Sequence, residues 1–252
     1  MPPRSAAVRE VAKWESDNPS IPLQGQPPKA AAANGARKIA AIDIVQDYET
    51  PGGKRRVLDG ISFEIGPAER IAILGQNGAG KSTLIRLLSG LQKPTGGRIE
   101  RGMTMSWPLA FDGGFSGEMT GYDNVRFVAQ IYGKPFRDLF DYVDDFAELG
   151  KQMYAPMRDY SSGMRMRLAF ALTLGINFEC ILIDEVIVVG DRRFQLKCHR
   201  ELFEKRSHCA MIIASHAEDV AREYCSAALV LKNGRGKVFR DLDLALAIYR
   251  TL

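Results

Sequence analysis

The chain is poor in cysteine. Its four cysteines, Cys180, Cys198, Cys209 and Cys225, lie far apart, make no C-x-x-C pair and have no metal-ligand spacing. That excludes a disulfide framework and a zinc site, and suits buried thiols in a reducing cytoplasm. Histidine is scarcer still; His199 and His208 lie near cysteines, but nothing completes a zinc set. Long apolar runs are missing as well. The longest, from Leu168 to Ile183, is broken by Asn177 and Glu179, so no membrane span is expected. The opening Met1-Pro2-Pro3-Arg4 has no apolar stretch of the signal-peptide kind. These absences predict a soluble, intracellular chain. Charge of one sign is also lacking. The net charge is +4, and the first forty residues hold six basic groups (Arg4, Arg9, Lys13, Lys29, Arg37, Lys38) against Glu10, Glu15 and Asp17. The body is therefore nearly neutral, which argues against a broad nucleic-acid surface.

What is present divides in two. Six of the twelve prolines fall within the first 28 residues, followed by Ala30 to Ala33 and Asn34-Gly35. Residues 1–37 are expected to be a disordered tail, with Val8, Val11, Ala12 and Trp14 able to form a turn or two of transient helix. The alternative is a membrane-surface or partner contact through Trp14 and its basic neighbours. Residues 38–252 read as one domain. Strands are expected at 39–45, 57–65, 70–74, 97–100 and 103–107, then helices at 123–132, 135–149 and 161–174. The final third alternates again, with strands at 180–184, 210–215, 227–231 and 236–240 and helices at 192–204, 218–224 and 242–249. Such alternation predicts a parallel-rich α/β core, with the helical middle (about 110–175) as an inserted subdomain.

The most specific motif is Gly75-Gln76-Asn77-Gly78-Ala79-Gly80-Lys81-Ser82-Thr83, a complete G-x-x-x-x-G-K-[ST] phosphate loop. It stands between a strand-like run, Arg70 to Leu74, and a helix-like run from Leu84, the context the motif requires. Glycines let backbone N–H groups crowd around phosphate oxygens, and the following helix aims its positive end at the same anion. Lys81 is placed to reach the β- and γ-phosphates of ATP, and Ser82 to ligate Mg²⁺.

Two further strand ends carry polar groups. Cys180 to Ile183 is apolar and ends in Asp184-Glu185. Asp184 fits a Mg²⁺ ligand, and Glu185 a residue that orients or polarises the attacking water. From this motif alone, a strand ending in acidic surface residues is an equal alternative. Met211 to Ala214 ends in Ser215-His216, which makes His216 a candidate γ-phosphate contact.

Tyr160-Ser161-Ser162-Gly163-Met164-Arg165-Met166-Arg167 resembles the signature sequence of the ATP-binding-cassette (ABC) ATPases, usually written L-S-G-G-Q. Ser161 and Gly163 keep its telling positions; Tyr160, Ser162 and Met164 depart from it. A plain helix cap would satisfy the cap chemistry alone. The order of signature, acidic strand end, Asp191 and His216 carries the resemblance, which spans about residues 39–240. It implies a P-loop NTPase of the ABC type: a RecA-like α/β core with an antiparallel β subdomain and an inserted α-helical subdomain.

The resemblance also implies roles. Tyr48 matches the aromatic that stacks on adenine, and Asp191 the loop that crosses the dimer interface. ABC sites are completed in trans, so Ser161, Gly163 and Asp191 of one chain are expected to face the ATP held by Lys81 of a second copy. Closer text, such as Ser106-Trp107-Pro108-Leu109 and Asp184-Glu185-Val186 to Gly190-Asp191, is similar to the ATP-binding subunits of bacterial capsular-polysaccharide exporters. O-antigen and teichoic-acid exporter ATPases are near alternatives, and a soluble ABC protein acting on ribosomes or DNA a more distant one. A separate multi-span permease is then the expected partner, with this chain peripheral at the cytoplasmic face of the bacterial inner membrane. One departure stands out. Where the family usually has a glutamine, Pro108 to Phe115 has none; Asp112 is a possible substitute. Phe111 and Phe115 are expected either to anchor the permease or to pack into the helical subdomain.

Overall fold

The computed structural model describes residues 37–109, 115–184 and 191–252. Residues 1–36 of the expected tail, Glu185, Phe111 and Asp112 lie outside the described residues. In chain order come β1 (Ile39–Thr50), β2 (Gly53–Ile65), β3 (Arg70–Gly75), α1 (Lys81–Ser89), β4 (Gly96–Arg101) and β5 (Met105–Pro108). The helices α2 (Gly121–Ile131), α3 (Phe136–Ala147) and α4 (Ser162–Ile176) follow, then β6 (Cys180–Asp184) and α5 (Arg192–His199). The chain closes with β7 (Ala210–Ala214), α6 (Glu218–Tyr224), β8 (Ala227–Lys232), β9 (Arg235–Phe239) and α7 (Leu242–Tyr249).

Six strands form one sheet in the order β5-β6-β7-β3-β8-β9, parallel except for β9, which runs antiparallel to β8. A second, antiparallel sheet has the order β2-β1-β4. The period-two alternation of strands sorts the apolar residues of the large sheet onto two faces. Ala72, Leu74, Ile181, Ile183, Met211 and Ile213 join the core shared with α2 to α5. Ile71, Ile73, Leu182, Ile212, Leu229 and Leu231 join the core shared with α1 and the antiparallel sheet. Both faces are covered, which is why these strands read as unbroken apolar runs.

The first hairpin is longer than its hydrophobic pattern predicted. β1 continues to Thr50 and β2 begins at Gly53, so Tyr48 lies within a strand, opposite Arg55. Charge holds this polar extension. Arg56 Nε donates to Asp47 Oδ1 at 2.9 Å, and Glu49 faces Lys54. Such pairs leave no apolar signal in the sequence. The helix expected over 192–204 is α only as far as His199 and continues as one π turn, Arg200–Glu204.

Helix α4 is buried on almost every side, from Leu168 through Leu174. An all-round apolar helix belongs at the centre of a packed body. Ser161 starts it by accepting the Met164 N–H at 3.2 Å, and Asn177 ends it in the left-handed region at φ 58°.

Candidate nucleotide-binding site

The phosphate loop leaves β3 at Gly75 and turns into α1 at Gly80. Gly80 has φ +105°, and a Cβ there would meet Leu58 Cδ2 at 2.6 Å, so only glycine fits. Gly78 also has positive φ (+81°), but a Cβ on it would meet nothing within 4 Å. The loop is thus backed by the hairpin on one side and open on the other. Gly80 supplies no side-chain cap to α1, and the first turn holds no acidic residue. The N–H groups at this end are left for an anion. Gln76, Asn77 and Ser82 are exposed, and Ala79 and Thr83 half-buried.

Lys81 is buried, and its ammonium donates to the carbonyls of Gly75 (2.8 Å) and Gln76 (3.2 Å). The cation is thereby held within the loop that would cradle phosphate. Ser82 Oγ donates to Asp184 Oδ1 at 3.1 Å, which brings the two expected Mg²⁺ ligands together. Sheet register explains the meeting. Ala214 of β7 pairs with Asp184 of β6 on one side and with Ile73 of β3 on the other. The carboxyl ends of three neighbouring strands are therefore level, where α/β sheets bind ligands. His216, exposed, follows β7 at the same edge. Tyr48 is half-buried, and its hydroxyl donates to Gln92 Oε1 at 2.9 Å.

Ser161 and Gly163 stand at the start of α4, away from the loop's own elements. Tyr160, the departure from the signature pattern, is buried, and its hydroxyl donates to the Gln152 carbonyl at 2.6 Å. Asp191 caps α5 by accepting the Phe194 N–H at 2.9 Å, and it pairs with Arg167 at 2.9 Å. The Phe194 N–H and the Arg167 guanidinium hold the Asp191 carboxyl below its usual range. Arg167 and Gln92 were missed as site-related residues. Their partners are 24 and 44 positions away, and no sequence period links them. Phe115 is half-buried and packs against the core of the helical region.

Among the described residues, Gln76, Asn77, Gly78, Ser82 and His216 leave this edge exposed. A cavity of about 110 Å³ lies elsewhere, lined by Arg37, Pro67, Met103, Phe178, Glu179 and Cys209. It sits by the amino end of β6, opposite the end that carries Asp184. Among the described residues, no group of three or more His, Cys, Asp or Glu side chains could hold a metal ion.

Comparison with known proteins agrees with this geometry. The family model described as ABC transporter matches residues 58–188. The capsule polysaccharide export ATP-binding protein CtrD of Neisseria meningitidis serogroup B is 49% identical over 214 residues, 85% of this chain and 99% of that one. The ATP-binding protein BexA of Haemophilus influenzae is 50% identical over 211 residues, 84% of this chain and 97% of that one. Among solved structures, a dimeric post-hydrolysis state of an ATP-binding cassette bound to ADP and phosphate superimposes with a TM-score of 0.64. It is 20% identical and covers 79% of this chain and 97% of its own, a likeness of fold. With a phosphate loop, an acidic strand end and a capped signature helix in this arrangement, the chain belongs to the ABC transporter family of ATP-hydrolysing, ATP-binding proteins.

Proposed function

We propose that this protein is the ATPase of a capsule-type polysaccharide exporter, working at the cytoplasmic face of the bacterial inner membrane with a separate permease. The observation that carries the chemistry is the contact between Ser82 Oγ and Asp184 Oδ1. One hydroxyl and one carboxylate are hard oxygen donors, the set Mg²⁺ takes when the nucleotide and water complete its shell. The metal, when bound, neutralises charge on the β- and γ-phosphates. The chain's own residues do the rest. Lys81 and the N–H groups of α1 hold the phosphates, Tyr48 supports the adenine ring, and Glu185 orients the attacking water with His216 near the γ-phosphate.

The open edge supports a site completed by a second copy, which supplies Ser161, Gly163 and Asp191 over the same ATP. Closure of two copies on ATP and reopening after hydrolysis would then drive the permease. No helix among the described residues is long and apolar enough to cross a membrane. The substrate class rests on the names of the relatives.

Two measurements test the reading. Glu185→Gln in the full chain is expected to keep ATP affinity and lose nearly all turnover; turnover at the wild-type rate removes Glu185 from the site. Disruption of the gene in its own bacterium is expected to leave polysaccharide inside the cell and none at the surface. An unchanged surface polysaccharide overturns the substrate class and leaves the ATPase assignment standing.

A further inference from the structure

The guanidinium of Arg167 is held by two contacts, and a third between their partners closes the triangle. It lies on the second turn of α4, the helix that Ser161 caps. Its Nη2 donates to Asp191 Oδ2 at 2.9 Å, and its Cζ sits 4.5 Å above the centre of the Phe194 ring. The Phe194 N–H in turn donates to the other Asp191 oxygen at 2.9 Å. The Arg167 side chain is 19% exposed, the Asp191 side chain 65%.

The surroundings are stiff. The Phe194 ring meets Phe146 edge-on at 5.5 Å and Phe170 at 6.4 Å, and Phe146 stacks on Phe170 at 6.0 Å. Lys197 of α5 donates to the carbonyls of Asp145 (2.9 Å) and Phe146 (3.1 Å) and to Glu148 Oε1 (3.0 Å). Helices α3, α4 and α5 are therefore tied into one block, and Arg167 links its two capping residues, Ser161 and Asp191. An ion pair whose carboxylate is largely exposed adds little to stability. Its effect here is on geometry.

We propose that Arg167 is a positioning residue: it holds Asp191 to the signature helix, so that Ser161 and Asp191 meet the partner protomer as one piece. The role rests on the two-protomer site described above. A separate Asp191 turn would have to be ordered at each closure, at a cost in conformational entropy. With Arg167 in place that ordering precedes ATP binding, and closure needs only rigid-body approach.

The test uses the full chain as R167M, R167K, D191N and the double variant R167M/D191N. Three quantities are read: affinity of the protomer for fluorescent ADP, sedimentation with and without a non-hydrolysable ATP analogue, and kcat against KM. R167M is expected to keep ADP affinity, because Lys81 and the glycine loop act within one chain. Its kcat should fall on the order of tenfold to a hundredfold, with nucleotide-driven dimerisation weakened. R167K should recover part of the loss, since an ammonium reaches the carboxylate but lacks the planar fork. The double variant should be no worse than the more damaged single one, as expected for residues acting through one contact. Wild-type kcat in R167M overturns the proposal, and so do additive losses in the double variant. So does a loss of ADP affinity and thermal stability in step with turnover, which marks a general packing role. A wild-type chain that never dimerises on the analogue removes the shared site, and this role with it.

Discussion

Ser82 and Asp184 stand 102 residues apart in the chain, yet the hydroxyl of one donates to the carboxylate of the other at 3.1 Å. The first lies in the opening turn of α1 and the second closes β6, so this contact joins the phosphate loop to the acidic strand. Asp184→Asn keeps the shape and removes the charge. The expected outcome is a kcat lower by about a hundredfold or more, with Mg²⁺ no longer tightening ADP binding in calorimetry. A variant in which Mg²⁺ still strengthens binding as in the wild type would place the metal elsewhere.

The two-protomer site is open to complementation. Lys81→Ala and Ser161→Ala chains should each be inactive, since every homodimer has both sites broken. Mixed in equal amounts, they form heterodimers with one site whose Lys81 and Ser161 are both intact. ATPase assays should then show partial recovery. No recovery despite proven subunit exchange means that both sites must fire or that the sharing is wrong.

Phe115 packs against the core of the helical region but is only half-buried. Phe115→Ala should therefore cost about 2 kcal/mol in a denaturant melt, less than a fully buried ring. Unchanged stability combined with a loss of export would instead assign the ring to the permease.

All four cysteines are buried. Burial pushes the thiols up, to about 12 for Cys198 and Cys225 against an ordinary 9.0. The folded chain should resist thiol reagents at pH 8 and release four thiols on denaturation. The linkage has a definite sign. A raised acid pKa favours the protonated, folded form, so this contribution is whole below pH 9 and shrinks as pH rises towards 12. Melting temperature should fall across that window, and fall less in a Cys198→Ala variant.

Some elements were legible to the residue. Strand β6 at Cys180–Asp184 and helices α6 at Glu218–Tyr224 and α7 at Leu242–Tyr249 have the limits their patterns suggested. The β6 run is apolar on both faces and ends in charge, while α7 begins at an Asp241 cap. The outer half of the first hairpin was illegible because cross-strand charge, not apolar alternation, holds it. At the site, the glycine loop announced itself through local chemistry, whereas Asp184, from its strand end alone, was as readily a surface acid, and its place beside Ser82 was an expectation of the order of motifs. The Arg167–Asp191 and Tyr48–Gln92 pairs had no such signal. A pairing between distant turns is written only in the sheet order and helix packing, which no local window contains.

The placement of β3 at the centre of the large sheet bears on how the chain is made. Its neighbours are β7 and β8, and the Ser226 N–H that extends the pairing bonds the Arg70 carbonyl, 156 residues earlier. At roughly 5–20 residues per second, translation needs on the order of ten to thirty seconds to cover that interval. For most of it, until β7 is made, the apolar run Ile71 to Leu74 has neither of the strands that will flank it. The nascent chain is in that interval an unpaired edge, open to chaperones and to its own misfolding. A ribosome stalled before residue 210 would therefore hold a complete phosphate-loop sequence and no formed nucleotide site.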